Sequence, residues 1–123
     1  MGTAGRQGSL VARHYVPDAG DLVWLTFDPQ AGREQAGRRP ALVLSPAVYN
    51  RRSGLALVCP ITSQVKGYPF EVPLPAEAPV TGVILADHIK SVDWRARRAT
   101  RAGRAPSALL ADVLDRLAPL LGL

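Results

Sequence analysis

Apolar and polar positions along this chain change over in short runs, most of them too short to be helices. DLVWLTFD (21–28), RPALVLS (39–45), LALVCPI (55–61), FEVPL (70–74) and VILADHIKSV (83–92) each read as a strand, bounded by Gly, Pro, Asp or Ser. RARRAT (95–100) reads as a sixth. Between them lie a loop at 29–38, a Ser53-Gly54 turn, a loop at 62–69 and a Pro-rich segment at 73–79; Ala47–Arg52 predicts one helical turn. Many short strands at close spacing predict a small barrel or sandwich rather than a parallel sheet.

The period changes at the end. In APSALLADVLDRLAPLLGL, Leu109, Leu110, Val113, Leu114, Leu117 and Leu121 recur at helical spacing. Pro106 suits a first turn, and Asp112, Asp115 and Arg116 lie toward the other face. This helix is expected to cap the barrel and to leave surplus leucine for a subunit interface. Residues 1–13 are Gly-rich and unpatterned, which predicts a disordered extension before a single domain at 14–123.

Charge narrows the partners. Fifteen basic and ten acidic residues give a formal +5 and a pI near 10.1, which favours RNA, DNA or an acidic protein. A basic surface kept for solubility is the plain alternative. The single cysteine, Cys59, sits in an apolar run, so no internal disulfide is expected. No run reaches membrane-spanning length and the N-terminus has no signal-peptide core, so a cytoplasmic protein is expected by elimination.

HExxH, paired histidines, a Walker loop, GxGxxG and GxSxG are all missing, so neither a metal nor a nucleotide cofactor is expected. The densest chemistry lies in GREQAGRRPALVLSP at 32–46. Pro40 forces Arg39 into extended backbone, and strand alternation puts it on the face of Ala41, Val43 and Ser45. Such an arginine needs a partner, and Glu34 is the nearest acid in sequence. The two are either a structural ion pair or the working parts of a phosphate-handling site. RNA brings its own nucleophile, the 2′-OH. Cleavage then needs a base, for which Glu34 is the candidate, and a phosphate clamp, for which Arg39 is. Thr62 and Ser63 offer hydroxyls at a strand end, with turn capping as the alternative for Thr62. Trp24, Arg33, Lys66 and Tyr68 are candidates for contact with single-stranded RNA, a core position being the alternative for Trp24 and Tyr68. Arginines 95, 97, 98, 101 and 104 read as a solvated strand face in preference to an extended RNA groove. His88 reads as an interface or core-edge residue, and His14 as exposed.

Four blocks, YVPDAGDLVWLTFDP (15–29), EQAGRRPALVLSP (34–46), TSQVKGYPFEV (62–72) and LADHIKSVDWRARRAT (85–100), resemble the MazF/PemK family of bacterial toxins in content and order. The resemblance implies a mainly β, SH3-like small barrel with helical additions, forming a homodimer. It implies a metal-independent, sequence-specific endoribonuclease that cuts single-stranded mRNA to leave 2′,3′-cyclic phosphate and 5′-hydroxyl ends, and so arrests growth. By the same resemblance the arginine before the strand proline is Arg39, the threonine after the third strand is Thr62 and the loop acid is Glu34. It further implies capture by an acidic MazE-like antitoxin, with DNA reached only through that complex. Two rivals are a toxin of the same barrel that binds DNA gyrase and a non-catalytic RNA-binding module. Gyrase poisons resemble one another in a tryptophan-containing tail, whereas this chain ends Leu120-Leu121-Gly122-Leu123.

Overall fold

Neighbouring residues in the apolar runs feed two different cores. The computed structural model describes residues 15–27 and 37–123. The expected extension at 1–13, His14, Arg33 and Glu34 lie outside the described residues. Seven strands form one antiparallel sheet: β1 (Asp21–Phe27), β2 (Gly37–Val43), β3 (Leu55–Thr62), β4 (Glu71–Pro73), β5 (Val83–Leu85), β6 (Lys90–Asp93) and β7 (Thr100–Arg104). The order is β4-β5-β3-β2-β1-β7, with β6 also on β3. Helix α1 (Ala47–Ser53) links β2 to β3, and helix α2 (Ser107–Leu120) ends the chain. Among the described residues β4 and β7, the two ends of the sheet, do not pair, so the expected small barrel is an open one.

Leu22, Leu42, Cys59, Ile61 and Ile84 bury one face of the sheet against Leu109, Val113 and Leu117 of α2. Val23, Leu25, Ala41, Val43, Ala56 and Val58 bury the other face with Val92 and Trp94. A sheet covered on both faces explains why the strands read as nearly continuous apolar runs. Each of the three buried α2 side chains contributes about 1.5–3 kcal/mol. The apolar stripe of α2 is narrower than its sequence predicts: Leu114 is 44% and Leu121 59% exposed.

Two predicted strands are corrected. The run at 83–92 breaks into β5 and β6 around a 3-10 turn at Ala86–His88. On β3, Leu55–Val58 pair with β6 and Ile61–Thr62 with β5, leaving Cys59 and Pro60 at the gap. Pro60 has no N–H to offer a partner strand. His88 is exposed in that turn, its Nε2 3.8 Å from Asp87 Oδ1, rather than at the edge of the core. The run at 95–100 is a turn, and strand resumes only at Thr100. The Asp93 carboxylate accepts the Ala96 N–H at 3.0 Å, and the Asp93 carbonyl accepts the Arg97 N–H at 3.0 Å. Arg98 follows at φ 56°, the one non-glycine residue with positive φ among the described residues, at a cost of about 1–2 kcal/mol.

Polar groups then lock the frame. Asp21, buried on β1, accepts from the Tyr15 hydroxyl at 2.6 Å and from Arg104 Nη1 at 2.9 Å. Burial and that bond to Asp21 hold the Tyr15 phenol well above its ordinary pKa. Asn50, fully buried in α1, accepts from Ser45 Oγ at 2.6 Å and donates through Nδ2 to the carbonyls of Pro17 (2.8 Å) and Ser45 (2.9 Å). Its carbonyl accepts the Trp94 indole N–H at 2.9 Å. Replacing Asn50 with alanine strands several buried partners and is expected to cost about 2–4 kcal/mol, read as a lower denaturation midpoint at fixed protein concentration.

Cys59 is fully buried, its thiol donating to the Ala86 carbonyl at 3.6 Å. Burial pushes that thiol up to about 12, so the reactive thiolate is scarce below that pH. Iodoacetamide at mildly alkaline pH is therefore expected to label Cys59 only after denaturant is added, as followed by mass spectrometry.

Candidate functional site

Strand register builds the site. On β1 and β2, Trp24 pairs with Pro40 and Leu25 with Arg39. On β2 and β3, Ala41 pairs with Pro60. The paired stretch ends there, with Arg39 and Thr62 each two residues beyond it. Three adjacent strands thus deliver an aromatic ring, a guanidinium and a hydroxyl to one end of the sheet. They line a cleft of about 660 Å³ with Arg38, Ser63 and Gln64.

Four of the predicted residues, Trp24, Arg39, Thr62 and Ser63, therefore meet at one cleft. Trp24 is half-buried: one part packs on the core below α2 and another faces the cleft. Thr62 is engaged in the turn that follows it. Its Oγ1 accepts the Gln64 N–H at 3.1 Å, which caps the turn and leaves the hydroxyl proton available to an anion. Lys66 and Tyr68 are not in the cleft lining. They stand together on the loop between β3 and β4, with Lys66 Nζ 6.0 Å from the Tyr68 ring centre and Tyr68 61% exposed. The remaining two, Glu34 and Arg33, belong to residues 28–36, which join Phe27 to Gly37, the paired ends of β1 and β2.

Sequence reasoning passed over three residues that position this cleft or the loop beside it. Glu71 is buried at the start of β4, and its carboxylate accepts the N–H groups of Lys66 (3.1 Å) and Gly67 (2.8 Å). An acid between Phe70 and Val72 in an apolar run was the available signal. Arg38 was seen only as a loop arginine. Its guanidinium bonds Thr26 Oγ1 at 2.6 Å, Thr100 Oγ1 at 2.7 Å and the Trp24 carbonyl at 3.2 Å, bracing β1 beside the cleft. Gly82 has φ 120° and lies so close to β3 that a Cβ there would be 2.2 Å from the Thr62 carbonyl oxygen.

The dense arginine stretch is a solvated strand face only in part: Arg101 and Arg104 are exposed on β7, whereas Arg95, Arg97 and Arg98 belong to the turn before it. Arg95 stacks on Trp94 at 4.4 Å, and Arg97 on Phe27 at 4.9 Å. Arg101 and Arg104 flank Asp21 at 3.6 and 2.9 Å.

Comparison with known proteins places this architecture. A solved MazE–MazF complex from Deinococcus radiodurans superposes with a TM-score of 0.85 at 63% identity, over 89% of this chain and 98% of that one. A mycobacterial endoribonuclease in complex with its cognate antitoxin shares the fold at a TM-score of 0.69 and 23% identity, over 87% of this chain and 96% of that one. The fold is thus that of the MazF-type toxins. In sequence, the chain is 51% identical over 108 residues to the endoribonuclease toxin MazF of Escherichia coli K12, covering 88% of this chain and 96% of that protein. Residues 18–121 match the PemK-like, MazF-like toxins of type II toxin-antitoxin systems, and the chain belongs to that family.

Gly82→Ala forces a methyl group onto the Thr62 backbone in a conformation that disfavours it. The variant is expected to lose more than about 1 kcal/mol of stability. In NMR spectra its Thr62 and Ser63 amide resonances are expected to shift while those of α2 stay in place.

Proposed function

We propose that this toxin is an endoribonuclease that cuts single-stranded mRNA at the cleft between Trp24, Arg39 and Thr62. The observation that carries the reading is the single cleft lined by Arg39, Thr62 and Ser63 beyond the end of the β2–β3 pairing. The planar guanidinium of Arg39 grips two phosphoryl oxygens at once and stabilises the charge that builds on them. Thr62 and Ser63 add hydroxyl donors to the same phosphate. Glu34 takes the proton from the 2′-OH, the 2′-oxygen attacks phosphorus and the bond to the 5′-oxygen breaks. The products are a 2′,3′-cyclic phosphate and, once the departing oxygen is protonated, a 5′-hydroxyl. No step calls on a metal ion. Arg33, Lys66 and Tyr68 contact the flanking nucleotides, with Trp24 as a stacking surface.

The same cleft is the surface for the antitoxin. A chain with a formal net charge of +5 attracts an acidic, extended partner segment, which excludes RNA while it occupies the groove. Leu114, Leu120 and Leu121, exposed on and after α2, supply apolar area for a homodimer.

The test is a long single-stranded RNA incubated with the protein in EDTA, with the 5′ ends of the fragments mapped. Discrete cuts sharing a short motif are expected. Arg39→Ala and Thr62→Ala should each lower the rate by about 100–1,000-fold, the scale of losing one donor to a developing oxyanion. Glu34→Ala should stop cleavage, and Arg39→Lys should not restore it, because an ammonium lacks the two-pronged grip. RNA left intact at high enzyme excess would reject the nuclease reading.

A further inference from the structure

We propose that Arg98, with Arg38, Thr26 and Thr100, forms a second phosphate subsite, holding an internucleotide phosphate of the single-stranded RNA that neighbours the scissile one. The subsite rests on the proposed nuclease reading for its ligand, but its geometry is independent. A second cleft of about 450 Å³ lies beside the first and is lined by these four residues. Arg38 lines both clefts, so the two adjoin at its side chain. Among the described residues, no acidic side chain lines either cleft.

Three observations point to an anion there. Arg95, Arg97, Arg101 and Arg104 are each engaged by a ring, a carbonyl or Asp21. Among the described residues, the exposed Arg98 side chain has no such partner. Its backbone is also held in the left-handed region, fixed by the bond from its own N–H to the Arg95 carbonyl at 3.0 Å. A conformation that glycine would adopt freely carries an arginine instead, and unfavourable backbone of this kind gathers where ligands bind. Finally, Thr26 Oγ1 and Thr100 Oγ1 both accept from Arg38. Each hydroxyl keeps its own hydrogen to donate. Two cations and two such hydroxyls on one small concavity match the oxygens of a phosphodiester. The strands also give a continuous track, since Thr100 pairs with Trp24 and Trp24 with Pro40, next to Arg39.

Arg98→Gly is the informative variant because glycine relieves the backbone while deleting the charge, so its melting temperature is expected not to fall. Binding is read by fluorescence anisotropy on a 2′-O-methyl RNA oligomer, which cannot be cut, from about 50 to about 200 mM salt. The variant is expected to bind several-fold more weakly. Its plot of log K against log salt should be shallower by about 0.7, the signature of one lost single-strand phosphate contact. Arg98→Lys should recover most of the slope, and Thr100→Val, which keeps the charge, should weaken binding with little change in slope. On cleavable RNA the loss should fall on KM more than on kcat. An Arg98→Gly protein with wild-type affinity and slope overturns the subsite, and if the wild type still cuts RNA the nuclease reading survives. A changed slope in a protein that leaves RNA uncut supports the subsite and rejects the nuclease reading alone.

Discussion

Everything at the cleft depends on how the chain is tied at Asn50. This residue joins the segment before β1, the end of β2, the start of β3 through Ser45, and the Trp94 indole after β6. Its side chain is cut off from water, so no hydration is available to replace a lost partner, and the network forms as a unit. Fixing the crossover from β2 to β3 fixes their register. A slip of one residue would exchange the two cores, sending Leu42 where Val43 belongs. It would also part Arg39 from Thr62. The chemistry at one end of the sheet is therefore specified by a polar knot at the other.

The cleft divides its work between stiff and adjustable parts. Trp24, Arg39 and Thr62 stand at paired strands, where packing on two faces leaves the backbone little freedom. Arg38 is braced by two threonine hydroxyls and a carbonyl, so its charge is held at a set position on the surface. The arginines of the 93–104 segment are sorted by their partners. Asp21 and the rings of Trp94 and Phe27 hold four of them, and these serve the fold as much as any anion.

Much of this was legible from the residues alone. β1 and β3 appear where their apolar runs lie, because local pattern and tertiary packing agree there. Arg39 could be singled out because Pro40 dictates its backbone and the strand that follows dictates its face. The 3-10 turn at Ala86–His88 was hidden, since nothing within 83–92 signals that β3 offers that run two separate partners. The turn at 95–98 was hidden because its cause is the Asp93 side chain, at the end of the previous strand. Gly82 was invisible for a similar reason: it matters through a backbone atom twenty residues away. The expected roles of Thr62 and Glu34 were read from their chemistry together with the family resemblance, whereas the meeting of Thr62 and Arg39 at one cleft is set by the strands that carry them.

The segment from Thr62 to Glu71 is fastened along its backbone while two of its apolar side chains stand out into solvent. Thr62 Oγ1 holds the Gln64 N–H at the start, and the Glu71 carboxylate holds Lys66 and Gly67 further on. Val65 and Tyr68 project between and beyond these anchors, 63% and 61% exposed. Residues there can be exchanged without disturbing either fastening. In evolutionary terms, these two positions can take new side chains by point substitution while the anchored backbone around them keeps its course.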